Sequence, residues 1–461
     1  MKLLLVASNS RAQAEPSLGI GYLAGYLKKY WRCSDLDIKI LNYIPREFSK
    51  IIQFSPDVIG ISALTNQYNK AIRFAVEMKE KTNAHVIIGG HHISIAPETF
   101  HSAFDAAVLG EGEQTFLEFL EFYKERGFDT AGMKHIKGLL YIDDGKVVAT
   151  GKRGLIENLD CVPYPSRELF NMEFMLREEK NVFGLSFGRG TYMMTSRGCP
   201  FRCFFCSASA FWEKIRYHSP EYVVGEIREL IEKYQVTLIH IFDDLFSADH
   251  DRLRKIVQLI EEQGINNIVE FGMFCRANLF NEETCRLLKR MNTVFIEFGI
   301  ESGSQRILNF LKRGTLHLEK VEEAVRLSRK YGIQTSGSFI LGTPGETEEE
   351  MFQSLELIKR LGLDKFAFFI LNPYPGTPLW DYAISKGLIS GKMNWDAYVP
   401  KKKDNLTPED IYDFSGQVFI NKNVSPKRFV EIYDLFEEER LKLYDHNWET
   451  VFPEEEPNLS L

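Results

Sequence analysis

Short Val/Ile-rich runs alternate with amphipathic stretches in two separate blocks of this chain, residues 1–125 and 187–395. In the first block Leu3–Ala7, Asp37–Leu41, Asp57–Ser62, His85–Ile88 and Ala106–Leu109 read as strands. Leu18–Tyr30, Asn66–Lys81 and Gln114–Lys124 read as helices between them. Near-continuous apolar strands separated by helices predict a parallel sheet covered on both faces. The expectation is a doubly wound, Rossmann-like α/β domain of about five strands, with ligands at the strands' carboxyl ends.

Residues 126–186 are less regular. A hairpin is expected around Asp143-Asp144-Gly145, and the prolines of Leu159–Pro165 forbid a regular element, so this span reads as a linker. The second block repeats a strand–helix unit six times. Its strands are Thr191–Thr195, Thr237–Phe242, Val269–Phe274, Val294–Ile300, Thr335–Leu341 and Phe366–Leu371. Helices are expected near 220–234, 250–263, 282–291, 317–331 and 347–362. Six right-handed units in order close most of a barrel, a partial TIM barrel with its active residues at the strand ends. Residues 396–461 read as a small, mainly helical, charged C-terminal region.

Of the seven cysteines, three crowd into Cys199-Pro-Phe-Arg-Cys203-Phe-Phe-Cys206. The odd total, without a signal peptide, does not suggest a disulfide framework. The first residues, Met1–Ala7, make too short an apolar run for a secretion signal. No transmembrane segment is expected, since no stretch reaches the 18–20 or so apolar residues a spanning helix needs. A cytoplasmic protein is the expectation. The net charge of −8 and the absence of any basic block longer than Lys401–Lys403 argue against nucleic acid as a partner. Three thiolates at C-x3-C-x2-C spacing can hold three corners of a cubane [4Fe–4S] cluster and leave the fourth iron open. The alternative, a structural zinc, wants four closed ligands, and His218 is the only nearby histidine.

C-x3-C-x2-C with Phe205 before the last cysteine resembles the radical S-adenosylmethionine superfamily. That resemblance implies methionine amine and carboxylate on the open iron, and reductive cleavage to a 5′-deoxyadenosyl radical. It implies further S-adenosylmethionine contacts at Phe205 for the adenine and at Asp243-Asp244 for the ammonium. Glu301 and Ser302 fall at the ribose and methionine positions, and Gly342, within Phe339–Glu346, in the adenine motif. Arg276 is a candidate for the carboxylate, or for plain packing. Asp243-Asp244 and Glu301-Ser302 equally suit helix caps or turns, and Gly342–Gly345 is a good turn in any case.

Upstream, Ser62-Ala63-Leu64, Gly89-Gly90 and Gly110-Glu111-Gly112 stand at successive strand ends, where glycine lets a large ligand approach the backbone. This pattern resembles the cobalamin-binding domain, and implies contacts at Ser62, Leu64, Gly89, Gly90, Gly110, Glu111 and Gly112. The segment after the first strand, Ser8–Gln13, has no histidine, so it lacks that family's lower ligand for cobalt. His91 and His92 read as loop residues rather than metal ligands.

Domain order included, the chain resembles the cobalamin-binding radical S-adenosylmethionine enzymes. The implied reaction is methylation of an unactivated carbon, with methylcobalamin as donor and a second S-adenosylmethionine restoring it. A cobalamin-associated radical cyclase, oxidase or rearrangement enzyme is the alternative, and an electron-carrying or redox-sensing iron–sulfur protein is the rival of another class. Implied partners are a small-molecule or lipid substrate and an external electron donor such as flavodoxin or ferredoxin. Asn372 and Tyr374, after the sixth strand, are placed at the substrate mouth.

Overall fold

Strands that lose both faces to helices must be apolar throughout, and β1 (Lys2–Ala7) is: Leu3, Leu4, Leu5 and Val6 are at most 1% exposed. The computed structural model describes residues 1–8, 16–45, 48–176, 181–182, 185–186, 188–391, 393–398 and 418–443. They fall into two units, Met1–Met175 and a second beginning at Leu176.

In the first unit β1, β2 (Asp37–Leu41), β3 (Val58–Ser62), β4 (His85–Gly89) and β5 (Ala106–Val108) pair in parallel in the order β2-β1-β3-β4-β5. Helices Leu18–Tyr30, Tyr68–Lys81 and Gly112–Arg126 connect them. The strand order reverses between β1 and β3, and the crevice there is where such sheets take ligands. The hairpin expected within the linker belongs to this sheet. Its strands β6 (Leu139–Asp143) and β7 (Lys146–Ala149) extend β5 in antiparallel fashion, making seven strands rather than five. Leu139, Leu140 and Tyr141 are almost fully buried, and the open edge of β5 offers both hydrogen bonds and cover.

The second unit opens with two small ribbons, β8 (Asn181–Val182) with β9 (Leu185–Ser186), and β11 (Ser196–Arg197) with β12 (Arg216–Tyr217). Its main sheet runs β10 (Gly190–Met193), β13 (Leu238–Ile241), β14 (Glu270–Cys275), β15 (Thr293–Glu301), β16 (Gln334–Leu341) and β17 (Lys365–Ile370), all parallel and in sequential order. The five intervening helices begin and end within about two residues of their sequence-based positions, because their caps are local. Ser219, Asp249, Asn281 and Thr347 each accept a backbone N–H of the first turn. Helices that were not expected include Gln305–Lys312 and Pro378–Ser385. Both pack around the cysteine loop through Ile307, Leu311, Leu379 and Phe205.

Exposure alternates along these strands. Phe271, Met273, Phe298 and Ile300 are fully buried beneath the helices, whereas Phe274, Glu297, Gly299, Ser338 and Ala367 are part-exposed on the other, concave face. A helix over Pro426–Lys442 covers β17 by setting Tyr433 and Phe436 against Phe368. The remainder of the expected C-terminal region, Glu454–Glu456 included, lies outside the described residues. Among the described residues no helix is long and apolar enough to cross a membrane.

Candidate active site

Cys199, Cys203 and Cys206 sit on the loop after β11, at the carboxyl end of the parallel sheet. Cys203 is buried and the other two half-buried. The loop is bolted down at Phe204, whose N–H donates to Leu311 O at 2.8 Å and whose carbonyl accepts from Leu379 N at 2.9 Å. Burial pushes the Cys206 thiol up to about 11 and raises Cys199 as well. Cys199 and Cys206 therefore stay protonated at neutral pH, and a metal cluster must displace those protons. Among the described residues no three His, Cys, Asp or Glu side chains converge where one ion could sit.

Arg276, following β14, is spent on this loop. Its Nη1 donates to Cys203 Sγ at 3.3 Å, its Nη2 to Thr315 Oγ1 at 2.6 Å, and its Nε to Asn278 Oδ1 at 2.8 Å. The guanidinium lies 3.8 Å from the centre of the Phe201 ring. This makes it a brace for the cysteine loop rather than the expected partner of a ligand carboxylate.

Asp243 and Asp244 follow β13 and part company. Asp243 is 1% exposed. It accepts Thr195 N and Thr195 Oγ1 at 2.5 Å each and Ser196 Oγ at 2.7 Å, with the Arg252 cation nearby. Its carboxylate thus ties β13 to the start of the cysteine loop. Asp244 keeps its surface open to solvent yet is crowded by surrounding atoms, the signature of a recessed mouth. Desolvation and Asp243 push its carboxyl up to about 6.

At the end of β15, Glu301 has φ of +70°, a left-handed conformation that a non-glycine residue adopts only under constraint. The constraint is a bulge between Gly299 and Glu301 and a buried ion pair, Lys312 Nζ to Glu301 Oε1 at 2.6 Å. Lys312 also stands 5.5 Å from the Phe205 ring centre, linking Glu301 to the cysteine loop. Glu301 Oε2 carries no hydrogen bond among the described residues. Ser302, by contrast, is completely buried. Its Oγ accepts Ser304 N at 3.1 Å, and it lies 3.4 Å from Ser354 Oγ. It shapes the turn, and the expected ligand contact is not available to it.

After β16, Gly342 takes φ of +83°. Its N–H and that of Thr343 both donate to Glu346 Oε2, at 2.8 and 2.9 Å, so the turn closes on one buried carboxylate. Burial pushes Glu346 up to about 8. Asn421 holds the same turn from outside, donating to Thr343 O at 2.8 Å and Glu346 O at 2.9 Å. After β17, the Tyr374 ring stands 5.3 Å from that of Tyr398, and burial raises the pKa of the Tyr374 hydroxyl.

In the first unit, Ser62 and Gly89 end β3 and β4. A Cβ on Gly90, φ +93°, would lie 2.7 Å from Ser62 Oγ and 2.9 Å from Ala63 N, so only glycine fits. Leu64 stands 48% exposed beside the crevice between β1 and β3. Gly110, φ +73°, has nothing within 4 Å of where a Cβ would be, and its N–H is fixed by Ser94 Oγ at 2.9 Å. Gly112 starts the following helix. Glu111 departs from expectation. It is buried and accepts Ile156 N at 2.7 Å, a bond that holds the chain after β7. His92 is fully buried between Thr65 and Thr99, as a packing residue. The segment after β1, where the histidine is missing, lies outside the described residues.

The radical SAM superfamily matches residues 193–358, and the B12 binding domain matches residues 5–120. An uncharacterized methyltransferase of Pyrococcus horikoshii is 35% identical over 95% of both chains. The chain belongs to the radical S-adenosylmethionine enzymes with a B12-binding domain. The cytidylyl-2-hydroxyethylphosphonate methyltransferase of Streptomyces wedmorensis is 28% identical over 81% of this chain and 78% of its own. Among solved structures, the fold is shared with TsrM of Kitasatospora setae, a radical S-adenosylmethionine methyltransferase. The TM-score is 0.69 and the identity 21%, over 84% of this chain and 76% of that one.

A B12-binding radical S-adenosylmethionine enzyme uses a [4Fe–4S] cluster, S-adenosylmethionine and cobalamin, and the residues present suit all three. Three soft thiols share one pinned loop, the recessed Asp244 and the unbonded Glu301 Oε2 face a cationic ligand's needs, and the β1/β3 crevice is lined by glycine and an exposed leucine. Sequence reasoning missed Lys312 and Asn421. Lys312 had a visible signal, a lysine on the apolar stripe Ile307, Leu308, Leu311 of its helix. Asn421 had none, because its partners are 75 and 78 residues away.

Proposed function

We propose that this enzyme methylates an unactivated carbon of a small-molecule or lipid substrate by radical chemistry. The carrying observation is the placement of Cys199, Cys203 and Cys206 on one braced loop at the strand ends of the half barrel, in a chain that also has a B12-binding sheet. When bound, the cluster supplies the electron that cleaves S-adenosylmethionine, and cobalamin supplies the methyl group.

The chain's own residues bind and orient. The three cysteines hold the cluster, and Arg276 and Asp243 keep their loop in place. Asp244 takes the ammonium of S-adenosylmethionine, Glu301 Oε2 a ribose hydroxyl, and Phe205 and Gly342 border the adenine. Ser62, Leu64, Gly89, Gly90, Gly110 and Gly112 shape the cobalamin crevice, with Ser62 and Gly90 setting its backbone. Asn372 and Tyr374 border the substrate mouth. A flavodoxin or ferredoxin in the cytoplasm is the reductant in this reading.

The test is anaerobic turnover with dithionite. The wild type should carry about four irons per chain and form 5′-deoxyadenosine. S-adenosylhomocysteine should accompany it, as expected when a second S-adenosylmethionine remethylates the cofactor. Cys203→Ala should lose both the iron and the deoxyadenosine. Normal cleavage by that variant would refute the cluster assignment, and deoxyadenosine without any S-adenosylhomocysteine would replace methyl transfer with a cyclase-type outcome.

A further inference from the structure

The concave face of the half barrel holds an acidic side chain that neither the cluster loop nor the ligand contacts above employ. Glu297 lies mid-strand on β15, two inward positions below Glu301, with Gly299 between them. Across the sheet it pairs with Phe274 on β14 and Ser336 on β16. Among the described residues nothing donates a hydrogen bond or ion pair to its carboxylate. Glu301 is the charged group that acts on it, and Glu301 is itself neutralised by Lys312. Burial, with Glu301 adding, pushes the Glu297 carboxyl up to about 7. A carboxylate half-withdrawn from water and left without a donor is costly, and proteins ordinarily pair such groups.

Its surroundings are aromatic. Phe242 and Phe274 meet edge to face at 5.4 Å between ring centres, and Phe242 meets Tyr192 likewise at 5.4 Å. Phe242 is 47% exposed even though it stands on the concave side of the sheet. An apolar wall with a few convergent polar groups is the make-up of a small-molecule site, in which those groups fix orientation; beside Glu297 stand Ser336 and the His240 ring, 5.0 Å from that of Phe274. Exposed ring surface favours a flat partner, and a carboxylate lacking donors favours a cationic nitrogen.

We propose that this face binds the substrate, that the substrate is an aromatic molecule bearing a basic nitrogen, and that Glu297 is the specificity-determining residue that receives that nitrogen. The proposal rests on the radical-enzyme reading above and names the substrate class of the same barrel. The Phe242–Phe274 wall takes the ring, and Glu297 fixes which end of it points toward the strand ends.

Benzamidine and its neutral isostere benzamide are the probes, titrated by anaerobic calorimetry into the holoenzyme with S-adenosylmethionine. Charge-assisted pairing should make benzamidine bind about tenfold more tightly than benzamide. Glu297→Gln should bring that ratio to about one with S-adenosylmethionine affinity unchanged, while Glu297→Asp, which keeps the charge, should retain a preference. Equal affinities in the wild type, no binding of benzamidine, or a ratio indifferent to Glu297→Gln would each overturn the proposal. Should Glu297→Gln not fold, the wild-type ratio and Glu297→Asp still decide. Deoxyadenosine formation is measured on the same preparations. If the wild type forms none, the radical reading fails. If it forms deoxyadenosine but shows no charge preference, only the Glu297 assignment fails.

Discussion

Glu301 and Lys312 are both under 10% exposed at the side chain, and each is the other's compensation. Removing one charge leaves the other buried and alone, which costs more than the intact pair contributes. Glu301→Gln and Lys312→Met should each destabilise the protein by about 3 kcal/mol, with the double variant well short of the sum. Urea unfolding of the four proteins measures the coupling, and additive losses would show that the pair is not coupled. The same experiment separates two roles of Glu301. If Oε2 meets the ribose, Glu301→Gln weakens S-adenosylmethionine binding beyond Lys312→Met, whereas a purely structural glutamate makes the two variants alike.

Two elements are held by contacts that a helix or strand cannot supply for itself. Gly303 lies so close to the helix Glu348–Leu361 that a Cβ there would stand 2.2 Å from Gln353 O, against backbone that cannot swing aside. Gly303→Ala should therefore cost about 1–3 kcal/mol, as overpacking does, read as a lowered melting temperature. An unchanged melting temperature would mean that the turn relaxes freely. Asn421 acts on the turn Gly342–Glu346, joining it to the segment ahead of the helix Pro426–Lys442, and Phe419 and Phe429 pack on Gly342. Asn421→Ala removes its two bonds to that turn and the two that its Oδ1 accepts from Asn423 N and Val424 N, at about 1 kcal/mol each. If that turn borders the adenine, S-adenosylmethionine affinity should fall about tenfold with iron content unchanged, and equal affinity would confine Asn421 to the scaffold.

Over the whole molecule, buried titratable groups set opposing pH slopes. Burial holds His92 in the first unit and His240 in the second well below the ordinary histidine range, each at about 3. Both are neutral when folded. Below a pH of about 6.5 the unfolded chain takes up protons that the folded chain refuses. Their contribution is thus complete above that pH and is lost as pH falls toward 3, at up to about 1.4 kcal/mol per unit for each histidine. Glu346 works the other way. With a raised carboxyl it costs stability as pH climbs from its unfolded value of about 4.3 toward 8. Glu297 and Asp244, raised like Glu346, also add stability as pH falls, so the readout is the difference between two proteins. Between pH 7.5 and 5.5 His92→Asn should fare better than the wild type by about 1.4 kcal/mol, while being less stable at pH 7.5, where the bonds to Thr65 and Thr99 are lost. An identical change in both proteins would remove His92 from the acid response.

Periodicity is a local property, and so the sequence by itself determined the two strand–helix blocks, the five barrel helices, four of them capped by a side chain, and the cysteine loop after the first barrel strand. Spacing alone put three thiols within eight residues, and adjacency to strand ends nominated Asp244, Glu301 and Gly342. Adjacency could not separate neighbours. Asp243 and Asp244 read alike until the fold turned one inward onto Thr195 and Ser196 and left the other at the mouth. Ser302 and Glu111 likewise met partners 52 and 45 residues away. Arg276 reached Cys203 across 73 residues. The hairpin Leu139–Ala149 was legible as a hairpin but not as part of a sheet, because the edge it completes belongs to β5. Tertiary structure alone decided these, since a carboxylate, a guanidinium or a strand edge takes whichever partner folding brings within about 3 Å, and no local pattern encodes that distance.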